Sequence, residues 1–267
     1  MFVDSHCHLS SPELAAQIPQ IRLAMAQALV DRALCICTTL EEFDQVHGLA
    51  LQHDNFWATV GVHPDNEGVQ EPSVDDLCAR AALPRVVAIG ETGLDYYRLN
   101  GRTVADMAWQ RRRFECHIIA ALATQLPLVV HSREASADTL ALLRSAGQGR
   151  ATGVFHCFTE TQEVARAALD LGFYISFSGI LTFRNAQVLR DVARLVPLDR
   201  CLIETDSPYL TPMPYRGKTN QPAYVPHVAA CLAEIKGLAV ADVAKATSAN
   251  FHRLFSRISS PVSLLES

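Results

Sequence analysis

Two histidines separated by one residue, His6 and His8, close the first apolar run of this chain. On a strand, side chains alternate between faces, so these two point the same way, with Asp4 behind them and Cys7 on the opposite face. Paired imidazoles at a strand end make a chelate for a divalent metal. Four later apolar runs also end in a metal-ligand type, at Glu91, His131, His156 and Asp206. Four histidines and two carboxylates are enough for two divalent ions, with Glu91 as the bridge between them. A carboxylated lysine is the other bridge used in such sites, and no predicted strand contains a lysine. Ions about 3.5–4 Å apart can hold a hydroxide between them and grip a displacement from both sides. They also lower the pKa of a bound water to about 7. Asp206, outermost on its strand, would orient that water and accept its proton, so Asp206 and Glu91 are the catalytic candidates. Mixed imidazole and carboxylate ligation favours Zn, Mn, Ni, Co or Fe, and the carboxylates keep Mg open. The expected cofactor is therefore a pair of divalent ions, Mg, Mn or Zn.

Other residues are candidates for contacts around that centre. Glu204 shares a face with Asp206 but lies deeper, as a supporting or structural group. Cys157 follows His156 and, by alternation, faces away. His63, in Gly61-Val62-His63-Pro64 just past the third strand, either meets a substrate oxyanion or stabilises its own turn. Arg133, two residues after His131, either clamps a phosphate or makes an ordinary surface pair. Arg184, Arg216 and Lys218 are weaker candidates of that kind. Arg111, Arg112 and Arg113 read as a solvated helix face. Tyr96, Tyr97 and Tyr215 could stack on bases or simply pack.

The elements that must position these residues follow from the apolar runs. Eight strand-like segments are expected at Phe2–His6, Leu34–Thr39, Phe56–Gly61, Val86–Glu91, Leu128–Ser132, Gly153–Cys157, Phe173–Phe177 and Cys201–Asp206. Helical segments fall between them. Ser73 with Asp76 forms a capping box for Val74–Ala82. Val104–Gln125 is the longest helix candidate, Ala135–Ala146 ends before Gly147, Thr159 with Gln162 caps the segment ending at Leu171, and Ala186–Val196 stops at Pro197. Strict β-then-α alternation implies parallel strands joined by crossover helices. Eight cycles, with ligand types at the strand ends, favour a closed (β/α)8 (TIM) barrel over an open doubly wound sheet. Residues 1–267 are expected to form one domain, since such barrels run to about 250 residues. The proline-rich stretch 207–226 reads as a rim loop of the active site.

Composition narrows the classes. The chain is 49% apolar and 19% charged, as for a globular protein with a large core. A net charge of −5 argues against a strong overall pull on nucleic acid or anionic membranes. The eight cysteines show no CxxC pair, which points to reduced thiols and a cytoplasmic location. No signal segment fits ahead of Asp4 and His6, and no apolar run approaches the roughly 18 residues of a membrane span. Nothing resembles a dedicated association helix, so a monomer is expected.

Taken in order, FVDSHCHL, TVGVHP, AIGETGLDYY, LVVHSREA, GVFHCF, YISFSGILTFRN, LIETDSPYL and NQPAYVP resemble the TatD family of metal-dependent deoxyribonucleases, within the amidohydrolase superfamily of barrels. The resemblance spans essentially the whole chain. It implies one metal held by His6, His8 and Asp206, another by His131 and His156, Glu91 as the bridge, and His63 near the substrate phosphate. The activity it implies is phosphodiester hydrolysis from a 3′ end of DNA, with a single-stranded or frayed end as partner. Ser10 departs from the family, which commonly has Asp or Asn there; it affects a turn and not a proposed ligand. The alternative is an amide or ester hydrolase on the same site, such as a D-aminoacyl-tRNA deacylase. A non-catalytic metal-binding scaffold is a remote third reading, disfavoured because all six candidate ligands are present.

Overall fold

The computed structural model describes residues 1–258. Its strands are β1 (Phe2–Cys7), β2 (Val30–Cys35), β3 (Phe56–Val60), β4 (Val86–Asp95), β5 (Leu128–Arg133), β6 (Gly153–Phe155), β7 (Tyr174–Phe177) and β8 (Cys201–Ile203). They form one sheet in the order β1 to β8, and every neighbouring pair is parallel. The ring is closed by the segment after β8. Asp206 N donates to His6 O (2.9 Å) and His8 N donates to Ser207 O (2.8 Å). This is a (β/α)8 barrel.

The helices are α1 (Ile18–Gln27), α2 (Phe43–Gln52), α3 (Val74–Ala81), α4 (Ala108–Thr124), α5 (Ser136–Ser145), α6 (Gln162–Asp170), α7 (Gln187–Leu195), α8 (Val225–Lys236) and α9 (Val240–Leu254). None among the described residues is long and apolar enough to cross a membrane. Ser73 caps α3 through the expected box with Asp76. The cap of α6 is Thr161, not Thr159: its hydroxyl accepts from Val164 N, which only the residue three positions ahead of Val164 can do. A short 3-10 turn, Ala105–Met107, occupies the start of the helix expected from Val104.

The apolar residues divide into two clusters. The larger lies between the strands and the surrounding helices. The smaller fills the barrel interior with Val3, Leu34, Val87, Val129, Val154 and Leu202, and is sealed at the N-terminal end by Phe251, Leu254, Phe255 and Ile258 of α9 and the residues after it. With that end filled and plugged, the ionisable cluster sits at the C-terminal mouth.

Several strands differ in extent from the sequence expectation, and each difference bears on the site. β2 starts at Val30, which pairs with Phe2, and ends at Cys35, which pairs with Cys7 and Ala58, so Thr38 and Thr39 lie beyond its end. β4 runs on to Asp95, which places Glu91 within the strand and adds a second carboxylate to it. β6 and β8 stop early, so His156 and Asp206 stand on turns just past their strands. In β1, pairing with β2 shifts register between Asp4 and Cys7. Simple alternation is interrupted there, and Asp4 turns into the wall, accepting from Thr205 N (2.9 Å) and His6 N (3.2 Å).

Helix α4 is tied to the end of β3 by a buried histidine. His117 Nε2 accepts from Val62 N (3.0 Å), and its Nδ1 donates to Arg113 O (2.7 Å). Burial pushes His117 down to about 4. An unfolded histidine titrates near about 6.5, so between these values the unfolded chain binds more protons than the folded one. The contribution of His117 is therefore intact above about pH 6.5 and lost as pH falls towards 4, by about 3 kcal/mol in all. In urea unfolding between about pH 7 and pH 5, His117→Gln should lose less stability than the parent; an unchanged slope would exclude His117 as the titrating group. The α9 plug is tested separately: Phe255→Ala should cost about 3–5 kcal/mol, read from the same unfolding curves.

Candidate metal centre

Glu91 is 2% exposed, and its two carboxylate oxygens face different histidines. Oε2 lies 3.3 Å from His6 Nε2 and 3.9 Å from His8 Nε2. Oε1 lies 2.8 Å from His156 Nε2, 3.3 Å from His131 Nδ1 and 3.3 Å from His63 Nε2. Asp206 joins the first group, with Oδ1 3.3 Å from His8 Nε2 and 3.6 Å from His6 Nε2. The seven residues thus come from β1 and the residue after it, the turn after β3, β4, β5 and the segments just past β6 and β8, and they meet at the C-terminal mouth of the barrel.

The donor set fits divalent ions. Donors bonded at about 2.1 Å to one tetrahedral ion lie roughly 3.4 Å from each other. The His6 and His8 Nε2 atoms are 3.2 Å apart, and His156 Nε2 is 3.4 Å from His131 Nδ1. Convergent groups include His6, His8 and Glu91; His6, His156 and Asp206; and His63, Glu91 and His131. Charge points the same way. Burial alone would raise Glu91, but the surrounding histidines hold it well below the usual carboxylate range. Burial acts upward on Asp206 too, and its contact with His8 and the charges of His6, His8 and His156 bring it down. Two ionised carboxylates in a buried pocket call for cations.

A second ring of groups orients the first. Asp95 Oδ2 sits 2.9 Å from His131 Nε2, leaving His131 Nδ1 for Glu91. Glu204 Oε1 lies 3.3 Å from His156 Nδ1 and accepts from Cys157 N (2.7 Å), leaving His156 Nε2 for Glu91. Carboxylates behind ligand histidines fix ring and tautomer. Asp95 reaches His131 because Gly93 lets β4 approach β5. Gly93 has φ +135°, and a Cβ there would stand 1.9 Å from His131 O. Glu204 was legible as a supporting group; Asp95 was not, because the sequence reading ended β4 at Glu91. Its one signal is its position four residues on, inside the same apolar segment.

A cavity of about 660 Å³ opens over the cluster, with His8, His63, Glu91, His131, Arg133, His156, Asp206 and Tyr209 among its lining residues. Arg133 is exposed, and its guanidinium lies 3.6 Å from the centre of the Tyr97 ring, itself 51% exposed. Arg216 and Lys218 are drawn instead onto Phe183 and Tyr215, and Tyr215 stacks on Tyr224 (4.4 Å), so these groups organise the rim loop. Tyr96 is buried and donates to Asp138. Arg184 does not line the cavity.

Two sequence expectations need correction. Cys157 lines the cavity, its sulfur 3.2 Å from Ser178 Oγ, because β6 has ended and alternation no longer applies. Cys7 does face away, donating to Leu34 O. Arg111–Arg113 is not a solvated face: only Arg112 is exposed. Arg111 binds Tyr96 and the carbonyl of Val104, and Arg113, 3% exposed, binds Glu71 and the His63 and Asn66 carbonyls. Arg113 shares the inward face of α4 with Gln110, Phe114 and His117, a periodicity that the run of three arginines hides.

Comparisons with known proteins agree with this architecture. The family model described as TatD related DNase matches residues 3–256. The chain is 48% identical over 257 residues to the uncharacterized metal-dependent hydrolase YcfH of Escherichia coli K12, covering 95% of each. It is 34% identical over 258 residues to the 3′-5′ ssDNA/RNA exonuclease TatD of Citrobacter rodentium, covering 94% of this chain and 97% of the relative. Among solved structures, the TatD homologue YJJV of Escherichia coli K12 superposes with a TM-score of 0.88 at 28% identity, covering 96% of this chain and 98% of that one.

Proposed function

The chain belongs to the TatD related DNase family of metal-dependent hydrolases, and from that premise we propose that it cleaves phosphodiester bonds of DNA, shortening single-stranded or frayed strands from a 3′ end. The observation that carries the proposal is the division of Glu91, with one oxygen on His6 and His8 and the other on His131 and His156. In this proposal His6, His8 and Asp206 would hold one divalent ion and His131 and His156 a second, with Glu91 supplying an oxygen to each. When bound, such a pair supplies Lewis acidity toward a phosphoryl oxygen and an acidified water.

The chain's own groups do the rest. Asp206, ionised and at the edge of the cavity, orients the attacking water and accepts its proton. Arg133 pairs with no carboxylate among the described residues, so its charge is available to a phosphate, while Tyr97 beneath it restricts its motion. His63 lines the same cavity and, in this proposal, contacts a phosphoryl oxygen. A cavity of about 660 Å³ suits a strand end and not an intact duplex. The name of the Citrobacter rodentium relative, a 3′-5′ ssDNA/RNA exonuclease, supports the polarity and the single-stranded substrate.

A second reading has one observation in its favour. Glu42 and Asp65 also line the cavity. An acidic wall suits the ammonium of an aminoacyl ester better than a polyanion, and would fit an acyl hydrolase on the same centre.

Metal-stripped protein reloaded in turn with Mg, Mn or Zn, and given a 5′-labelled single-stranded oligonucleotide, separates the two. Stepwise shortening should require metal and fall by about 10²–10⁴ in Asp206→Asn at unchanged fold. If no metal supports shortening although the protein binds its ions, the phosphodiesterase proposal is wrong and aminoacyl esters become the substrates to test. Turnover of neither substrate would leave the metal-binding scaffold. Elemental analysis tests the bridge: Glu91→Gln should reduce about two ions per chain to one or fewer, and retention of both would remove Glu91 from that role.

A further inference from the structure

His63 stands within the histidine cluster, yet its hydrogen bonds set it apart. Its Nδ1 accepts the N–H of Asp65 (3.0 Å), while its Nε2 faces Glu91 Oε1 (3.3 Å). A ring nitrogen that accepts a hydrogen bond carries no proton, and a neutral imidazole carries one proton. That proton is therefore on Nε2. A protonated Nε2 has no lone pair for a metal, so His63 offers a hydrogen-bond donor where His131 and His156 offer acceptors.

The turn that delivers the Asp65 N–H is held from outside the barrel. Arg113 Nη1 donates to both His63 O and Asn66 O, each at 2.8 Å, bracketing the turn at its two ends. Its Nε donates to Glu71 Oε2 (2.9 Å) on the protein surface, and its guanidinium packs on Trp109. One helical turn on, His117 holds Val62 N, the residue before His63. Both side chains are buried, and neither touches the cavity. From the inner side, His63 N donates to Thr38 O (2.8 Å), as does Asn66 Nδ2 (2.9 Å).

We propose that Arg113 and His117 are positioning residues: from α4 they fix the turn of residues 62–66 so that the Asp65 N–H keeps His63 in its Nε2–H form, beside Glu91 and available as a donor to the substrate in the cavity. The donor role rests on the reading that His63 meets a phosphoryl oxygen; the hold on the ring does not.

The test uses full-length, zinc-loaded protein with ¹⁵N-labelled histidine. Long-range ¹H–¹⁵N spectra report the tautomer of each ring, and the His63 signals are identified by their loss in His63→Asn. The parent should show a protonated Nε2 and an imine-like Nδ1 at His63. Arg113→Met and His117→Phe should move His63 towards a mixture of tautomers with zinc content unchanged. The same variants should lower cleavage of the oligonucleotide by about 10–100-fold, the scale of a misplaced contact group. His117→Gln, whose amide can still accept from Val62 N, should restore most of both. On a His63→Asn background, Arg113→Met should cost less than about 2-fold, since coupled residues do not add. If Arg113→Met does not fold, Arg113→Lys, which keeps the charge beside Glu71 but lacks the fork, is read in the same way.

A parent spectrum with the proton on Nδ1 overturns the proposal. So does an unchanged tautomer in folded Arg113 and His117 variants, or a full penalty for Arg113→Met without His63. If the tautomer responds as expected but His63→Asn cleaves normally, the hold on the ring stands and the substrate contact of His63 is what fails.

Discussion

Burying a carboxylate as completely as Glu91 costs several kcal/mol unless opposite charge and hydrogen bonds compensate it. The mouth of this barrel is built to compensate one such group. Histidines from β1 and β5, and from the turns after β3 and β6, converge on its two oxygens. None of these rings can move far without leaving charge unpaired in a low-dielectric site. The placement of Glu91 between two sets of histidines and the packing of the strand ends are in this sense one constraint.

That constraint explains how the interior is shared out. The N-terminal half of the barrel is filled mainly by aliphatic side chains, with Tyr174 and Trp57 among them, and plugged by α9 and the residues after it, so it supplies stability without ionised groups. The C-terminal half holds the ionised Glu91 and Asp206, stacked imidazoles such as His6 and His156 (3.8 Å between ring centres), and Gly93 where β4 and β5 approach. A packed floor allows a polar, highly charged mouth to persist, because the two ends draw on different strand residues.

Orientation of the site comes in layers. Asp95 and Glu204 choose which nitrogen His131 and His156 present. Arg113 and His117 act one layer further out, on main chain and not on rings. Each layer replaces a freely rotating group with one whose hydrogen bonds are already committed, which is how a site made from separate strands reaches ligand-grade precision.

Much was legible from the chain itself. Residue types at the ends of apolar runs picked out His6, His8, Glu91, His131, His156 and Asp206, and β-then-α periodicity pointed to the barrel, because both depend on local order along the chain. The extents of β4, β6 and β8 were not legible: strand length is settled by pairing with neighbours, and Asp95 joined the site only because β4 pairs with β5 as far as Arg133. The register shift that turned Asp4 into the wall is likewise a property of two strands together. Arg113 and His117 could not be read at all from a basic helical stretch, since their meaning lies in carbonyl and amide groups some fifty residues away. Sequence by itself determined which atoms were available for chemistry, through side-chain type and local periodicity. Only the tertiary structure decided which nitrogen of each histidine faces Glu91, because that choice belongs to hydrogen-bond partners contributed by other strands and helices.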